Sequence, residues 1–114
     1  MATIEMELQV RTEIGIASSE QGRVQDLKVL LTVEVADAYS DAAAERGDIA
    51  LTLDYGRLRE IVHEVFAERR YSLLEEVTTT IRERIRKLSH VTSARVAITK
   101  HHPWVDVPRL TLTR

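Results

Sequence analysis

Two long runs of alternating residues near the start of the chain constrain its fold most strongly. From Thr3 to Ile16 the even positions are apolar apart from Thr12, whereas the odd positions are polar or glycine. Alternation with period two over this length predicts a half-buried β-strand. After a segment containing glycine and serine, residues 27–35 resume the alternation with apolar side chains at the odd positions. We expect an antiparallel second strand joined to the first by a long connection.

The middle of the chain changes to helical patterns. The stretch "DAAAERGD" predicts a short helix stopped by Gly47, and a longer helix over residues 55–68 begins after a cap at Asp54 or Thr52. A further helix follows after a turn. Their apolar faces are formed by Leu58, Ile61, Val62, Val65 and Phe66 in the first long helix, and by Leu74, Val77, Ile81, Ile85 and Leu88 in the second.

Two more alternating segments, "SARVAITK" and "PRLTLTR", end the chain and predict two strands. The resulting order of long elements is β-β-α-α-β-β. Strands on both sides of a helix pair favour an α+β fold, here a four-stranded antiparallel sheet with two long helices on one face. Such a sheet keeps open edges, so strand pairing between subunits would complete it and we expect a homo-oligomer.

Composition limits the function classes. The 114 residues, 44% of them hydrophobic, suit a single domain spanning 1–114. A formal net charge of −2 argues against binding nucleic acid by bulk electrostatics. The absence of a long apolar run argues against a membrane protein, so we expect a cytoplasmic one. The chain has no cysteine, which excludes disulfides and thiol nucleophiles.

Glu75 stands in the first turn of the predicted second long helix. Ser72 precedes it by three residues, which is the spacing of a capping box. Glu75 therefore has two interpretations from local sequence, a helix cap or a ligand-binding carboxylate. Its neighbour Glu76 is interpreted as the surface acid.

Lys100 is the least ordinary charge, because the parity of Ala94, Val96 and Ile98 places it on the buried-phase face of its strand. One interpretation is a strand-end lysine whose stem packs while its ammonium reaches water. The other is a partly desolvated lysine in a cleft that exchanges protons near neutral pH.

The other polar candidates are ordinary on local evidence. Tyr55 at the start of a helix is typical of a packing residue, and Glu20 in the "ASSEQ" loop is typical of a solvated charge. His101 and His102 are adjacent, so on a strand they point to opposite faces and cannot easily share a metal ion. We expect no metal site.

Three segments taken in order resemble the dihydroneopterin aldolase family, which includes dihydroneopterin triphosphate epimerase. They are "EIGIASSEQGRVQDLKVLLTVEV", "LTLDYGRLREIV" with "RRYSLLEEV", and "VAITKHHP". The resemblance spans nearly the whole chain. It implies the tunnelling fold, in which the sheets of several subunits join into a ring, giving a tetramer or a stacked octamer with active sites between subunits.

The resemblance also implies roles for individual residues. Glu75 corresponds to the carboxylate that anchors the amino-pyrimidine edge of the pterin, and Leu74 lies beside it. Lys100 corresponds to the catalytic lysine, Tyr55 to a tyrosine supplied by a neighbouring subunit, and Glu20 to an acidic residue near the lysine. No cofactor, metal or Schiff base is implied, because the conjugated pterin takes up the developing charge.

The reaction implied is retro-aldol cleavage of dihydroneopterin to a hydroxymethyl dihydropterin and glycolaldehyde, in folate biosynthesis. The small, polar loop at residues 17–19 and the "KHHP" sequence depart from the aldolase pattern, and Lys100 to His102 looks closer to the epimerase branch. Epimerisation of a triphosphorylated pterin is therefore the alternative, with Arg69 and Arg70 as further basic candidates. A catalytically silent oligomeric scaffold is the third hypothesis.

Overall fold

A four-stranded antiparallel sheet forms the centre of the computed structural model, which describes residues 2–15, 22–47 and 53–114. The strands are β1 (Ala2–Glu13), β2 (Val24–Val35), β3 (Val91–Trp104) and β4 (Val107–Thr113), in the order β1-β2-β3-β4. Within the described residues, the helices between β2 and β3 are α1 (Asp37–Arg46), α2 (Tyr55–Glu68) and α3 (Leu74–Arg86). The predicted order, including the short first helix, is confirmed.

The register of the strands gathers the apolar residues on one face. Val29 pairs with both Leu8 and Ile98, so the even positions of β1 and β3 share a face with the odd positions of β2. The long helices cover this face, and their apolar residues join the strands in one core. Eight of the apolar residues predicted for the helices are buried, namely Leu58, Ile61, Val62, Val65, Leu74, Val77, Ile81 and Ile85. The other two, Phe66 and Leu88, are only partly buried against the core.

The opposite face of the sheet is polar. Arg11 and Asp26 form an ion pair at 3.0 Å across β1 and β2, and Lys28 lies 3.4 Å from Glu7 on the same pair of strands. These side chains remain largely solvated, so the ion pairs add little stability. The sheet thus has one face in the core and one face in water.

The ends of the helices follow the sequence signals. Gly47 ends α1 in the left-handed conformation, with φ of 65°, and its N–H donates to the Ala43 carbonyl at 2.7 Å. Asp54 caps α2, because its carboxylate accepts the N–H of Gly56 at 2.9 Å. Thr52, the other predicted cap, lies outside the described residues.

Two strand boundaries differ from the sequence prediction. β1 ends at Glu13, and Ile14 instead forms an isolated parallel bridge with Tyr71. β3 continues past Lys100 to Trp104, through a register shift beside His102, which has a φ of 47°. The irregular pairing accommodates Pro103, which lacks an N–H for a regular ladder.

No helix in the described ranges is long and apolar enough to cross a membrane.

Candidate active site

Lys100 lies at the margin of the apolar face. It pairs with Leu27 on β2 and with Leu110 on β4, and it is partly buried. Leu27 is fully covered, whereas Leu110 is 37% exposed. The lysine therefore lies where the core gives way to solvent, with its stem on the side of the sheet that carries the helices.

Leu74 and Glu75 open α3. Leu74 is the first residue of the helix and is only 8% exposed, and Glu75 follows it with its side chain exposed. The buried leucine fixes the first turn against the core. The same turn leaves the Glu75 carboxylate in solvent at a helix N-terminus, where the backbone dipole favours a negative charge.

The capping box predicted for Ser72 and Glu75 is wrong. Glu76 caps the helix instead, because its Oε1 accepts the N–H of Leu73 at 3.0 Å, and Leu73 is the N-cap residue. Glu76 Oε2 also accepts a hydrogen bond from Arg69 at 2.9 Å. The helix begins one residue later than the box spacing implied, since Leu74 turns into the core. Glu76 is thus the acid held by hydrogen bonds to Arg69 and to the Leu73 N–H, and Glu75 is the exposed acid.

The pH dependence of stability should report this cap. The Arg69 guanidinium and the Leu73 N–H hold the pKa of Glu76 below its ordinary value. Its contribution to stability is therefore complete above the unfolded pKa of about 4.3 and is lost as pH falls through the lower folded pKa. We expect urea midpoints of the wild type and Glu76→Gln to differ at pH 7 and to converge on acidification. Glu45→Gln, an exposed change on α1, is the control, and a pH-independent difference for Glu76→Gln would contradict the assignment.

Two side-chain contacts show how α3 lies on β3. Arg82 donates to the Ala94 carbonyl at 3.2 Å, and Arg114, which pairs with Val96, donates to the Thr79 hydroxyl at 2.7 Å. Positions later in the helix thus match positions earlier in the strand, so the two run antiparallel. The N-terminus of α3, with Glu75, consequently points toward the Lys100 end of β3.

The segment before α3 is docked at this same end of the sheet. Tyr71 is 3% exposed and bridges to Ile14, just beyond the end of β1. Gln25, near the start of β2, donates to the Ile14 carbonyl at 2.8 Å. The end of β1, the start of β2, the Lys100 region of β3 and the start of α3 therefore meet at one end of the sheet.

The described contacts do not bring Tyr55 to this end of the sheet. Tyr55 is the first residue of α2 and is 55% exposed. Among the described residues, no hydrogen bond or ring contact joins it to Glu75. Glu20 and the loop residues 17–19 lie outside the described part of the chain. A tyrosine exposed in this way is free to face another copy of the chain.

A polar cavity between the start of β2 and the last residues of β3 was missed by sequence reasoning. It encloses about 220 Å³ and is lined by Arg23, Val24, Gln25, Asp26, His101, His102 and Pro103. Arg23 forms no ion pair with any described residue, whereas Asp26 is neutralised by Arg11. The cavity lies between the start of β2 and the last residues of β3, and no local sequence signal predicts that these two segments lie close together.

Within the described ranges, no three His, Asp or Glu side chains form a group able to hold a metal ion.

Comparison with known proteins decides the family. The model of the FolB dihydroneopterin aldolase family matches residues 5–111, which is nearly the whole chain. The chain belongs to the dihydroneopterin aldolase family. The resemblance inferred from the three sequence segments is thereby confirmed.

Individual members of the family show where this chain stands within it. It is 31% identical over 108 residues to dihydroneopterin triphosphate 2'-epimerase of Escherichia coli K12, covering 93% of this chain and 88% of the relative. The epimerase of Shigella flexneri matches to the same extent. Membership of the dihydroneopterin aldolase family therefore supports, for this chain, a pterin enzyme function of the aldolase or epimerase type.

Solved structures of the family share the fold. The crystal structure of a putative dihydroneopterin aldolase from Vibrio cholerae superposes with a TM-score of 0.85 at 27% identity, covering 100% of this chain and 97% of that one. The E. coli dihydroneopterin aldolase in complex with neopterin gives 0.86 at 23% identity, covering 100% and 99%. The tunnelling fold predicted from the resemblance is confirmed for the single chain.

Proposed function

We propose that this chain, as one domain spanning residues 1–114, is a dihydroneopterin aldolase. The observation that carries the proposal is the placement of Glu75, exposed at the N-terminus of α3, toward the end of β3 that holds Lys100. The substrate is dihydroneopterin, and the products are 6-hydroxymethyl-7,8-dihydropterin and glycolaldehyde. The E. coli relative that binds neopterin has the same fold.

Glu75 anchors the pterin ring in this proposal. A carboxylate accepts two parallel hydrogen bonds from the adjacent N–H donors of an amino-pyrimidine edge, which gives orientation as well as affinity. Because Glu76 takes over the cap and the Arg69 ion pair, these local interactions do not occupy the Glu75 carboxylate. Leu74 beside it is held in the core and supplies a rigid backbone next to the ring.

Lys100 manages the proton transfers. Removal of the proton from the side-chain hydroxyl lets the neighbouring carbon–carbon bond break, which releases glycolaldehyde. The electron pair passes into the conjugated pterin, and a proton then returns to the carbon that remains attached to the ring. A lysine at the margin of an apolar face suits both steps, since it is partly shielded and still reaches water.

A homo-oligomer completes the site. We propose a tetrameric ring or a stacked octamer in which Tyr55 of a neighbouring subunit approaches the ring and Glu20 lies near Lys100. The support is the exposure of Tyr55 and the position of β1 and β4 as the outer strands of the sheet. Outer strands present backbone groups that can pair with another chain.

Epimerisation of dihydroneopterin triphosphate is the second candidate. It is favoured by the cavity containing Arg23, His101 and His102, which offers cationic and hydrogen-bonding groups to a phosphorylated side chain. The other basic candidates are already engaged, because Arg69 pairs with Glu76 and Arg70 donates to the Gly15 carbonyl. Both reactions can begin with the same retro-aldol step.

Product analysis separates these functions. Glycolaldehyde and hydroxymethyl dihydropterin formed from dihydroneopterin support the aldolase, whereas the epimer alone supports the second candidate. If neither dihydroneopterin nor its triphosphate is converted, the chain is the silent scaffold.

Arg23→Ala gives a matched test of the cavity. If the epimerase assignment holds, we expect the KM for the triphosphate to rise by about tenfold or more, since a charge-assisted contact is lost. The KM for unphosphorylated dihydroneopterin should stay unchanged. Arg59→Ala, an exposed change on α2, serves as control, and an equal change for both substrates would reject a phosphate contact at Arg23.

A further inference from the structure

The segment joining α2 to α3, residues 69–73, is fastened to the end of β1 through Arg70. Its guanidinium Nη2 donates to the Gly15 carbonyl at 2.6 Å, and its Nε lies 3.7 Å from the Glu13 carboxylate. The Gly15 N–H in turn donates to the Tyr71 carbonyl at 3.4 Å. Arg70 and Tyr71, which are adjacent in the segment, thus form hydrogen bonds with the carbonyl and the N–H of Gly15, respectively.

Gly15 is suited to this contact. Its φ of 121° lies in a region that residues with a side chain rarely adopt, so the chain can turn here and present its carbonyl to Arg70. The preceding carbonyl, that of Ile14, is held from β2 by Gln25. The end of β1 is therefore a fixed support, because backbone pairing and a side-chain hydrogen bond both anchor it.

The fastening controls the start of α3. Only Tyr71, Ser72 and Leu73 separate Arg70 from the first turn, and Tyr71 and Leu74 are both buried. The position of the exposed Glu75 side chain consequently follows from the backbone of this turn. A shift of the segment away from β1 would move the carboxylate relative to Lys100.

We propose that Arg70 is a positioning residue that sets the pterin anchor Glu75 by locking the segment before α3 onto the end of β1. This inference rests on the proposed function, because it concerns the affinity of that same site. Arg70 does not touch the substrate. Its effect is transmitted through the backbone of residues 71–74, and the predicted consequence is a change in binding.

Arg70→Met removes the donors and keeps a long stem, which limits the loss of packing. We expect the KM for dihydroneopterin to rise by about tenfold with a much smaller change in kcat, because an anchor used equally in ground state and transition state affects binding alone. Arg70→Lys keeps one donor for the carbonyl and should recover most of the affinity. Exchange of the Gly15 amide hydrogen should be faster in Arg70→Met, because its acceptor belongs to the loosened segment.

Arg84→Ala is the matched control. Arg84, near the C-terminal end of α3, forms a two-point hydrogen-bonded pair with Glu68 of α2, one contact being 2.6 Å. Its removal therefore also breaks an arginine contact that holds α3 in place, but at the end of the helix away from Glu75. It should leave the KM and the Gly15 exchange unchanged. The proposal is overturned if Arg70→Met matches this control, or if kcat falls while the KM does not change.

The two proposals fail in different ways. If the wild type converts no dihydroneopterin, the aldolase assignment fails. Arg70 is then judged by neopterin affinity and Gly15 exchange in the same variants. Faster exchange with weaker neopterin binding in Arg70→Met, reversed in Arg70→Lys, supports positioning without turnover, whereas unchanged exchange rejects it.

Discussion

Replacement of Lys100 by alanine should slow the cleavage of dihydroneopterin by about 10²-fold to 10⁴-fold, the range typical of a lost general acid–base group. The lysine lies beside Leu27 and Leu110 at the margin of the core. Among the described strand residues, no other lysine lies on this face of the sheet. Pterin affinity should change little, because the ring is held by Glu75. The measurement is single-turnover product formation together with a neopterin titration.

Lys28→Ala is the matched control for this experiment. Lys28 is also a strand lysine, but it lies on the polar face, where it faces Glu7 at 3.4 Å. It should retain wild-type turnover. Equal rates for Lys100→Ala and the wild type would remove Lys100 from the mechanism, and equal losses in both lysine variants would indicate a general effect of charge.

Replacement of Glu75 by glutamine should weaken pterin binding by at least about 30-fold, since loss of charged hydrogen bonds costs about 2 kcal/mol or more. The amide keeps one acceptor oxygen and places an NH₂ group against the donors of the ring. The free energy of unfolding should change little, because Glu75 is exposed and the cap belongs to Glu76. Fluorescence titration with neopterin and urea unfolding measure the two effects.

The adjacent Glu76→Gln reverses this pattern. It removes the charge that holds Arg69 and weakens the cap on Leu73, so it should lower stability at pH 7 while preserving pterin affinity. Loss of affinity in Glu75→Gln and loss of stability in Glu76→Gln would together distinguish the pterin anchor from the helix cap. If Glu76→Gln lost pterin affinity and Glu75→Gln did not, the assignment of the anchor to Glu75 would be wrong.

The fold could be predicted because its signals are local. Alternation fixed the faces of β1 and β2, and the cap at Asp54 and the stop at Gly47 placed helix ends to within a residue. Sequence rules favoured Ser72 as the N-cap over Leu73, because only the serine has a side-chain acceptor, although a glutamate stands three residues after each. The burial of Leu74 decides between them, and burial is a tertiary property.

The site was only partly predictable for the same reason. Parity placed Lys100 on the correct face, yet the closeness of Arg23 to His102 depends on the pairing of β2 with β3 beyond the regular ladder. The link from Arg70 to Gly15 joins residues far apart in sequence and involves a backbone carbonyl, which carries no sequence signal. Tyr55 acts, in the proposal, on a site in another subunit, so its partner is absent from any single chain.

A crystal structure of the protein with neopterin would show directly whether Glu75 and Lys100 form the pterin site. We expect the amino-pyrimidine edge of the ring on the Glu75 carboxylate, with the hydroxylated side chain directed toward Lys100. Pterin density at this end of the sheet with both contacts would establish the site. A pterin bound elsewhere, or one whose ring edge meets a different acid while Glu75 stays in solvent, would contradict it.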